Sequence, residues 1–518
     1  MNNQKPNILV VLCDQMRYDC MGNAGNRYIH TPHFDRLAAE GVSCTEAHVG
    51  SPLCAPFRAS MLTGKHATNN GVLVNFLPLN FDQLFLAEFL KTRGYSTGYS
   101  GKWHLNGGKG SRYVEPHERL GFEHFIGLYG GHQYANAIFY RNNDPTPRRC
   151  ERYEPDFQTD HIIEFMENTL NAEDKKPFFA VVSYGLPHNP NVAPPWWLDL
   201  YRPDAVELPE DVDPDMEEIA RKFLAEYYGL VSCVDFQLGR LLTWLDHAGI
   251  TKDTIVIAVS DHGDSAGQHL ILPMRKDCPY RYASQVPFIV RWPEHLPCGK
   301  KLNNLIDPAI DIFPTLCGLL GIENMNGNFD GVDISKQLMN PDHEVDRVLF
   351  HQSARSVRPD EDIYYRNQVR AIRTNEWVYA EKMGKPYQLF NELSDPNESI
   401  NLVDNEDYMD VQEQCAKILH DKMQQIGDSW QLEIEYGGMT VEKWERAQEL
   451  SKYNTQNSVL EITRDAALGR PPKKQKPSST WNDTCMYSLP GRLGFPFWKK
   501  DYEEKIQKFR DYERSMRG

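Results

Sequence analysis

The sequence predicts an α/β protein with a mostly parallel sheet, followed by a smaller α+β unit. Short apolar runs alternate along the first part of the chain with segments of helical periodicity, as in a sheet covered on both faces. After about residue 345 apolar and polar positions alternate more regularly, as in antiparallel strands with one solvated face. A length of 518 residues accommodates both units.

Residues 7–13 form a continuous apolar run and read as a buried strand. Thr31-Pro32 opens a short helix through Ala39, with Thr31 as N-cap and Pro32 at the first helical position. Residues 95–100 form a strand after a helix that stops at Gly94. Residues 178–184, 254–260 and 287–292 are further strands, and residues 216–248 and 307–320 are helices. Behind them, residues 369–381 and 386–392 alternate as antiparallel strands, and a helix covers residues 410–426. The division expected is 1–345 for the large α/β domain, 346–453 for the small one and 454–518 for a C-terminal extension. The extension carries Pro471-Pro472, the basic run Lys473-Lys474-Gln475-Lys476 and the aromatics Trp481, Tyr487, Phe495, Phe497 and Trp498. Those aromatics offer area to bury, so a homo-oligomer is expected, with the extension packing on a neighbour.

Hydrophobic residues make up 41% and charged residues 25%, the balance of a globular chain. A formal charge of −16 excludes a general nucleic-acid binder. No stretch approaches a membrane span, and the apolar run near Met1 is too short for a secretory signal. Eleven cysteines without a paired framework suggest a reducing, cytoplasmic setting.

In open α/β sheets, ligands bind beyond the carboxyl ends of the strands. Asp14-Gln15 follows the first strand, Lys102-Trp103-His104 the second, Pro187-His188 the third and Asp261-His262 the fourth. Asp14, Gln15, Asp261 and His262 make a divalent-metal set. Their oxygens suit Ca²⁺, and the imidazole draws the preference toward Mn²⁺. Taken singly, an Asp after a strand is ordinary turn chemistry, and a buried His is commonly bonded to backbone. Cys54-Ala55-Pro56-Phe57-Arg58 places a cysteine at the start of a helix, where the macrodipole favours negative charge. Arg58 lies one turn on. A lone motif of this kind is better explained by a buried core cysteine.

Cys54-Ala55-Pro56-Phe57-Arg58 with Thr63-Gly64 resembles the signature of the formylglycine-dependent sulfatases, members of the alkaline phosphatase superfamily. Residues 7–15, Gly101-Lys102-Trp103-His104, Pro187-His188, Ser260-Asp261-His262-Gly263, Lys276 with Val286-Pro287, and the segments around Arg370 and Phe390 follow the family's order. Gln15 and His262, where many sulfatases have Asp and Asn, resemble the branch that includes choline sulfatases and phosphonate monoester hydrolases. Phe57 and Lys65 depart from the usual signature. Arg281 and Gln285 stand where Glu and Arg are common, which points to a different substrate pocket.

The resemblance implies an alkaline-phosphatase-like sandwich with a small C-terminal sheet. It also implies one divalent metal, with position 54 joining Asp14, Gln15, Asp261 and His262 among its ligands, a maturation enzyme that oxidises Cys54 to formylglycine, and a small sulfated substrate. The aldehyde hydrate attacks sulfur. Arg58 assists it, and Lys102, His188 and Lys276 neutralise the sulfuryl oxygens. His188 or Lys276 protonates the leaving oxygen, and His104 then expels sulfate. The rival reading is a phosphonate monoester or phosphodiester hydrolase with the same nucleophile. Trp196 and Trp197 are either an aromatic wall for the alcohol half of the substrate or packing residues.

Overall fold

The architecture follows from one strand, β1 (Asn7–Asp14), all of whose residues are buried. Its side chains alternate with period two. Ile8, Val10 and Leu12 join one apolar core, and Leu9, Val11 and Cys13 join another on the opposite face. A strand covered on both faces needs neighbours on both edges and helices above and below.

The computed structural model describes residues 5–430 except 76, 78, 106, 108–112, 129–131, 133, 136, 270, 272, 323–328 and 354–367. The expected extension over 454–518, and the oligomer contact drawn from it, lie outside the described residues.

The other strands of the large sheet are β2 (Val42–Cys44), β3 (Ser96–Lys102), β4 (His124–Leu128), β5 (Ile138–Arg141), β6 (Asp144–Arg149), β7 (Phe178–Pro187), β8 (Thr254–Ser260), β9 (Phe288–Arg291) and β10 (Lys300–Leu302). Their order is β10-β2-β9-β8-β1-β7-β3-β4-β5-β6. The middle run β8-β1-β7-β3-β4 is parallel, so its five carboxyl ends open along one edge. One core packs the helices Cys54–Thr63 and Pro308–Leu319 on the sheet. The other packs Pro32–Ala39, Glu154–Asn171 and Glu217–His247. A second sheet of β11 (Leu349–Ser353), β12 (Val369–Arg373), β13 (Trp377–Lys382) and β14 (Lys385–Asn391) is antiparallel. The helix Met409–Ile426 lays Cys415, Leu419 and Met423 on it. Among the described residues no helix is long and apolar enough to cross a membrane.

The structure departs from the sequence reading in several places. Thr31 does not cap its helix with its side chain. Its hydroxyl accepts from the Gly22 amide at 2.8 Å, and the amides of His33 and Phe34 are taken by Asp235 from the Glu217–His247 helix. The alternating run 369–381 is two strands, because the Thr374 hydroxyl accepts from the amides of Glu376 and Trp377 and closes a turn. The helix Glu154–Asn171 has sparse apolar positions, and the hairpin β5–β6 carries two prolines on its exposed edge strand. Neither stood out as a periodic segment.

Two glycines let β3 sit against its neighbours. A Cβ on Gly98 would lie 2.3 Å from the Phe165 ring. One on Gly101, at φ +129°, would lie 2.0 Å from the Ser183 carbonyl oxygen on β7. Gly101→Ala is therefore expected to lower unfolding stability in urea by roughly 2–4 kcal/mol. It should also reduce activity in the surviving folded protein, because Lys102 is the next residue.

Candidate functional site

Adjacent strands deliver adjacent side chains. From β8 to β4 the carboxyl ends present Asp261 and His262, then Asp14 and Gln15, then His188, then Lys102 and His104, and finally His132. Opposite them stands the first turn of the helix Cys54–Thr63, every residue of which is buried. Leu53 at its N-cap offers no side-chain bond. The Ala55 amide is satisfied instead by Asn75 Oδ1 at 3.0 Å.

Arg58 ties the floor together. Its Nη2 donates to Asp14 Oδ2 at 3.0 Å and to Asp261 Oδ2 at 3.1 Å. Its Nη1 donates to Ser183 Oγ at 2.6 Å and to the Lys102 carbonyl at 2.8 Å. Lys102 Nζ also donates to Asp14. Cys54 Sγ lies 3.2 Å from His262 Nε2 and 3.7 Å from both Asp14 Oδ1 and Lys276 Nζ. His104 and His188 also stand within hydrogen-bonding reach of this sulfur. Lys276 Nζ donates to Gln15 Oε1 at 2.5 Å, and Gln15 Nε2 donates to Asp264 Oδ2 at 2.6 Å. All ten residues singled out in the sequence are thus linked by contacts in one cluster. Gln15 and His104 hold left-handed backbone, at φ 69° and 56°, which non-glycine residues adopt at a steric cost.

The electrostatics set Cys54 apart. Burial pushes its thiol up, but Lys102, Lys276 and His262 outweigh burial and bring it well below its ordinary value. Burial instead raises the thiols of Cys13, Cys20, Cys44, Cys150, Cys233, Cys317 and Cys415. Burial also raises Asp14, and Lys102, His188 and Arg58 overcome it to hold that carboxyl below the usual range. Asp261 is pushed up to about 6 by burial and by the charge of Asp14. Burial, with Lys276 beside it, lowers His188 to about 4. Its Nδ1 is 2.6 Å from the Asn189 carbonyl and donates to it, so Nε2 carries the lone pair.

The donor chemistry fits a divalent cation. Asp14, Cys54, Asp261 and His262 each offer an atom, and these atoms lie within 4.8 Å of one another. Two buried carboxylates facing each other, one already displaced toward protonation, are relieved by added positive charge. Asp264 occupies the amide nitrogen of Gln15 and so turns its oxygen toward the cluster.

Several contributors were not singled out in the sequence. Ser183, Asn75 and Asp264 act through their hydrogen bonds to Arg58, Ala55 and Gln15. His132 stacks on His188 with ring centroids 3.9 Å apart, and its Nε2 is 3.5 Å from Lys102 Nζ. It follows β4, and recognising that strand would have exposed it by the same strand-end rule. Trp197 packs on the core beside Phe236, and Trp196 is 68% exposed. Arg281 pairs with Glu46 and Glu392, and Gln285 donates to the Thr45 carbonyl. His269 pairs with Asp211 and stacks on Tyr280.

Known proteins resemble this chain in sequence and in fold. A family model described as Sulfatase matches residues 6–322, and one described as N-sulphoglucosamine sulphohydrolase, C-terminal, matches residues 274–425. An ulvan-active sulfatase of Formosa agariphila is 35% identical over 428 residues, covering 82% of each chain. A solved structure holding its substrate D-glucosamine-2-N,6-O-disulfate has a TM-score of 0.74 at 21% identity, over 83% of this chain and 100% of that one. The phosphonate monoester hydrolase of Agrobacterium radiobacter has a TM-score of 0.66 at 23% identity, over 82% and 96% of the two chains. At these identities the two structures speak for the fold.

Arg58 is the cation that balances Asp14 and Asp261 when no metal is bound. In chelator, Arg58→Met is expected to lower unfolding stability by about 3–5 kcal/mol, because buried Asp261 loses its guanidinium and Asp14 is left with Lys102 alone. Adding Ca²⁺ or Mn²⁺ should recover part of that loss in the same denaturation measurement.

Proposed function

The chain belongs to the sulfatase family, and from that premise we propose that it hydrolyses sulfate monoesters at the S–O bond with a nucleophile generated from Cys54. The observation that carries the reading is the environment of that one position. It heads a buried helix and is ringed by Lys102, Lys276, His104, His188 and His262, inside a chain of net charge −16. Concentrating positive charge there suits an anionic ester.

A maturation enzyme that converts Cys54 to formylglycine would supply an aldehyde whose hydrate offers the attacking hydroxyl and a second one. Asp14, Gln15, Asp261 and His262 would hold the divalent cation, Ca²⁺ by their oxygens or Mn²⁺ by the imidazole, and it would act as a Lewis acid toward a sulfuryl oxygen. Lys102 and Lys276 neutralise the charge that develops on the remaining sulfuryl oxygens. Arg58 bonds to both carboxylates, aligns them and opposes the rise of Asp261. His188, neutral with its Nε2 lone pair toward the site, accepts rather than gives a proton in the free protein. Lys276, whose Nζ stands 3.7 Å from the sulfur at position 54, is the proton donor to the leaving oxygen in this reading. Burial also holds His104 low, and it hydrogen-bonds position 54, which suits a base that removes the second hydroxyl's proton. A carbohydrate sulfate is the favoured substrate class, because the 35% identical relative is described as ulvan-active. The ten cysteines among the described residues form no disulfide with one another, which supports a cytoplasmic setting.

Matched nitrophenyl esters of sulfate, phosphate and phenylphosphonate test the substrate, using protein co-expressed with a maturation enzyme. Sulfate is expected to give the highest kcat/KM, with Cys54→Ala inactive and Cys54→Ser stopping after a single transfer. A phosphonate lead would overturn the substrate and leave the nucleophile standing. Lys276→Met is expected to slow an alkyl sulfate by about 10²–10⁴-fold and nitrophenyl sulfate far less, because nitrophenolate leaves without a proton. Equal losses on both esters would remove Lys276 from the proton-donor role.

A further inference from the structure

Lys276 is the one member of the cluster that stands on neither a strand end nor the Cys54–Thr63 helix. It lies in the connection between β8 and β9, and the backbone on both sides of it is unusual. Met274 and Asp277 are both left-handed, at φ 73° and 67°. Side-chain-bearing residues hold that conformation only where the surroundings impose it. On the near side Asp264 Oδ1 accepts from the Met274 amide at 3.0 Å, and the Asp277 amide donates to the Pro52 carbonyl at 3.2 Å.

The far side is gripped by the four-stranded sheet. Ser353, at the end of β11, donates from its hydroxyl to the Asp277 carbonyl at 2.7 Å. Arg373, at the end of β12, donates from Nη2 to the Pro279 carbonyl at 3.1 Å. Glu398, beyond β14, accepts from the Arg281 amide at 2.6 Å and from Arg373 Nη2 at 2.6 Å. Glu392 joins the two arginines by pairing with both. Residues 277, 279 and 281 are thus fastened at their backbones by side chains that are themselves buried: Ser353 0%, Arg373 6% and Glu398 2% exposed. Glu398 is itself left-handed, at φ 54°. A simple domain seam needs only apolar area, whereas this one directs charged side chains onto the main chain just past Lys276.

We propose that Arg373 and Glu398, assisted by Ser353, are positioning residues for Lys276, through which the C-terminal sheet sets where the ammonium stands relative to Gln15 and position 54. This rests on the role given to Lys276 above. A long, flexible lysine reaches one place reproducibly when its Cα is fixed, and small misplacements of a reacting group cost rate steeply.

A double-mutant cycle tests it. Arg373→Lys keeps the charge and loses the fork, and Ser353→Ala removes one neutral hydrogen bond as a milder second variant. Each is made with Lys276 and with Lys276→Met, and kcat and KM are measured on an alkyl sulfate and on nitrophenyl sulfate beside thermal unfolding. Arg373→Lys is expected to lower kcat on the alkyl ester by about tenfold and Ser353→Ala by about threefold. Nitrophenyl sulfate should be nearly unaffected by either, and neither should cause a further loss in the Lys276→Met background. Equal losses on both esters, or the same factor in both backgrounds, would overturn the proposal and leave Arg373 a structural residue. If Lys276→Met alone leaves alkyl sulfate turnover unchanged, the assigned role of Lys276 fails, and the positioning proposal falls with it.

Discussion

Two fully buried carboxylates on neighbouring strands, Asp14 and Asp261, face each other at the floor of the site. Unpaired, they would repel strongly at low local dielectric, and one would protonate. Arg58 resolves this with one terminal nitrogen bonded to both. Its other nitrogen reaches Ser183 and the Lys102 carbonyl, so the same residue binds β8, β1, β7 and β3 into one floor. Much of the rest follows from that constraint. The helix bearing Arg58 must be buried, its first amides must find partners without water, and Cys54 at its head is carried into the positive field.

The chain is acidic overall, yet its cleft gathers Arg58, Lys102, Lys276 and several imidazoles. Those imidazoles are not equivalent. Burial lowers His104, His132 and His188, and the charge of Asp261 raises His262. One kind of side chain thereby supplies lone pairs on one side of position 54 and a positively biased partner on the other. The strain at Gln15 and His104, like that at Met274 and Asp277, falls where a side chain must be aimed.

The strand-end residues were legible because parallel β-structure has a simple grammar: a buried apolar run, then polar residues at its carboxyl end. β1, β7 and β8 obey it, and β3, which has few apolar residues, was placed by the helix stop at Gly94 before it, so Asp14, Gln15, Lys102, His104, His188, Asp261 and His262 could be named in advance. β4 is short and lies toward the sheet's irregular edge, and His132 went unnoticed with it. The N-cap assigned to Thr31 failed for a related reason. Capping is a matter of which acceptor is nearest, and Asp235, some two hundred residues away, is nearer.

Residue types, their order and their local spacing are written in the chain, and they suffice for the central strands that carry the site, the helix that starts at Cys54 and the chemical character of the site. Burial and distance are not local quantities. That Cys54 is the acidified cysteine depends on Lys102, Lys276 and His262 arriving from three separate segments. That the amide oxygen of Gln15 faces the cluster depends on Asp264. That Arg281 pairs at the seam with the small sheet depends on Glu46 and Glu392, which adjoin it only after folding. Electrostatic and hydrogen-bond energies fall off over a few ångströms of space, and separation along the sequence does not measure that space.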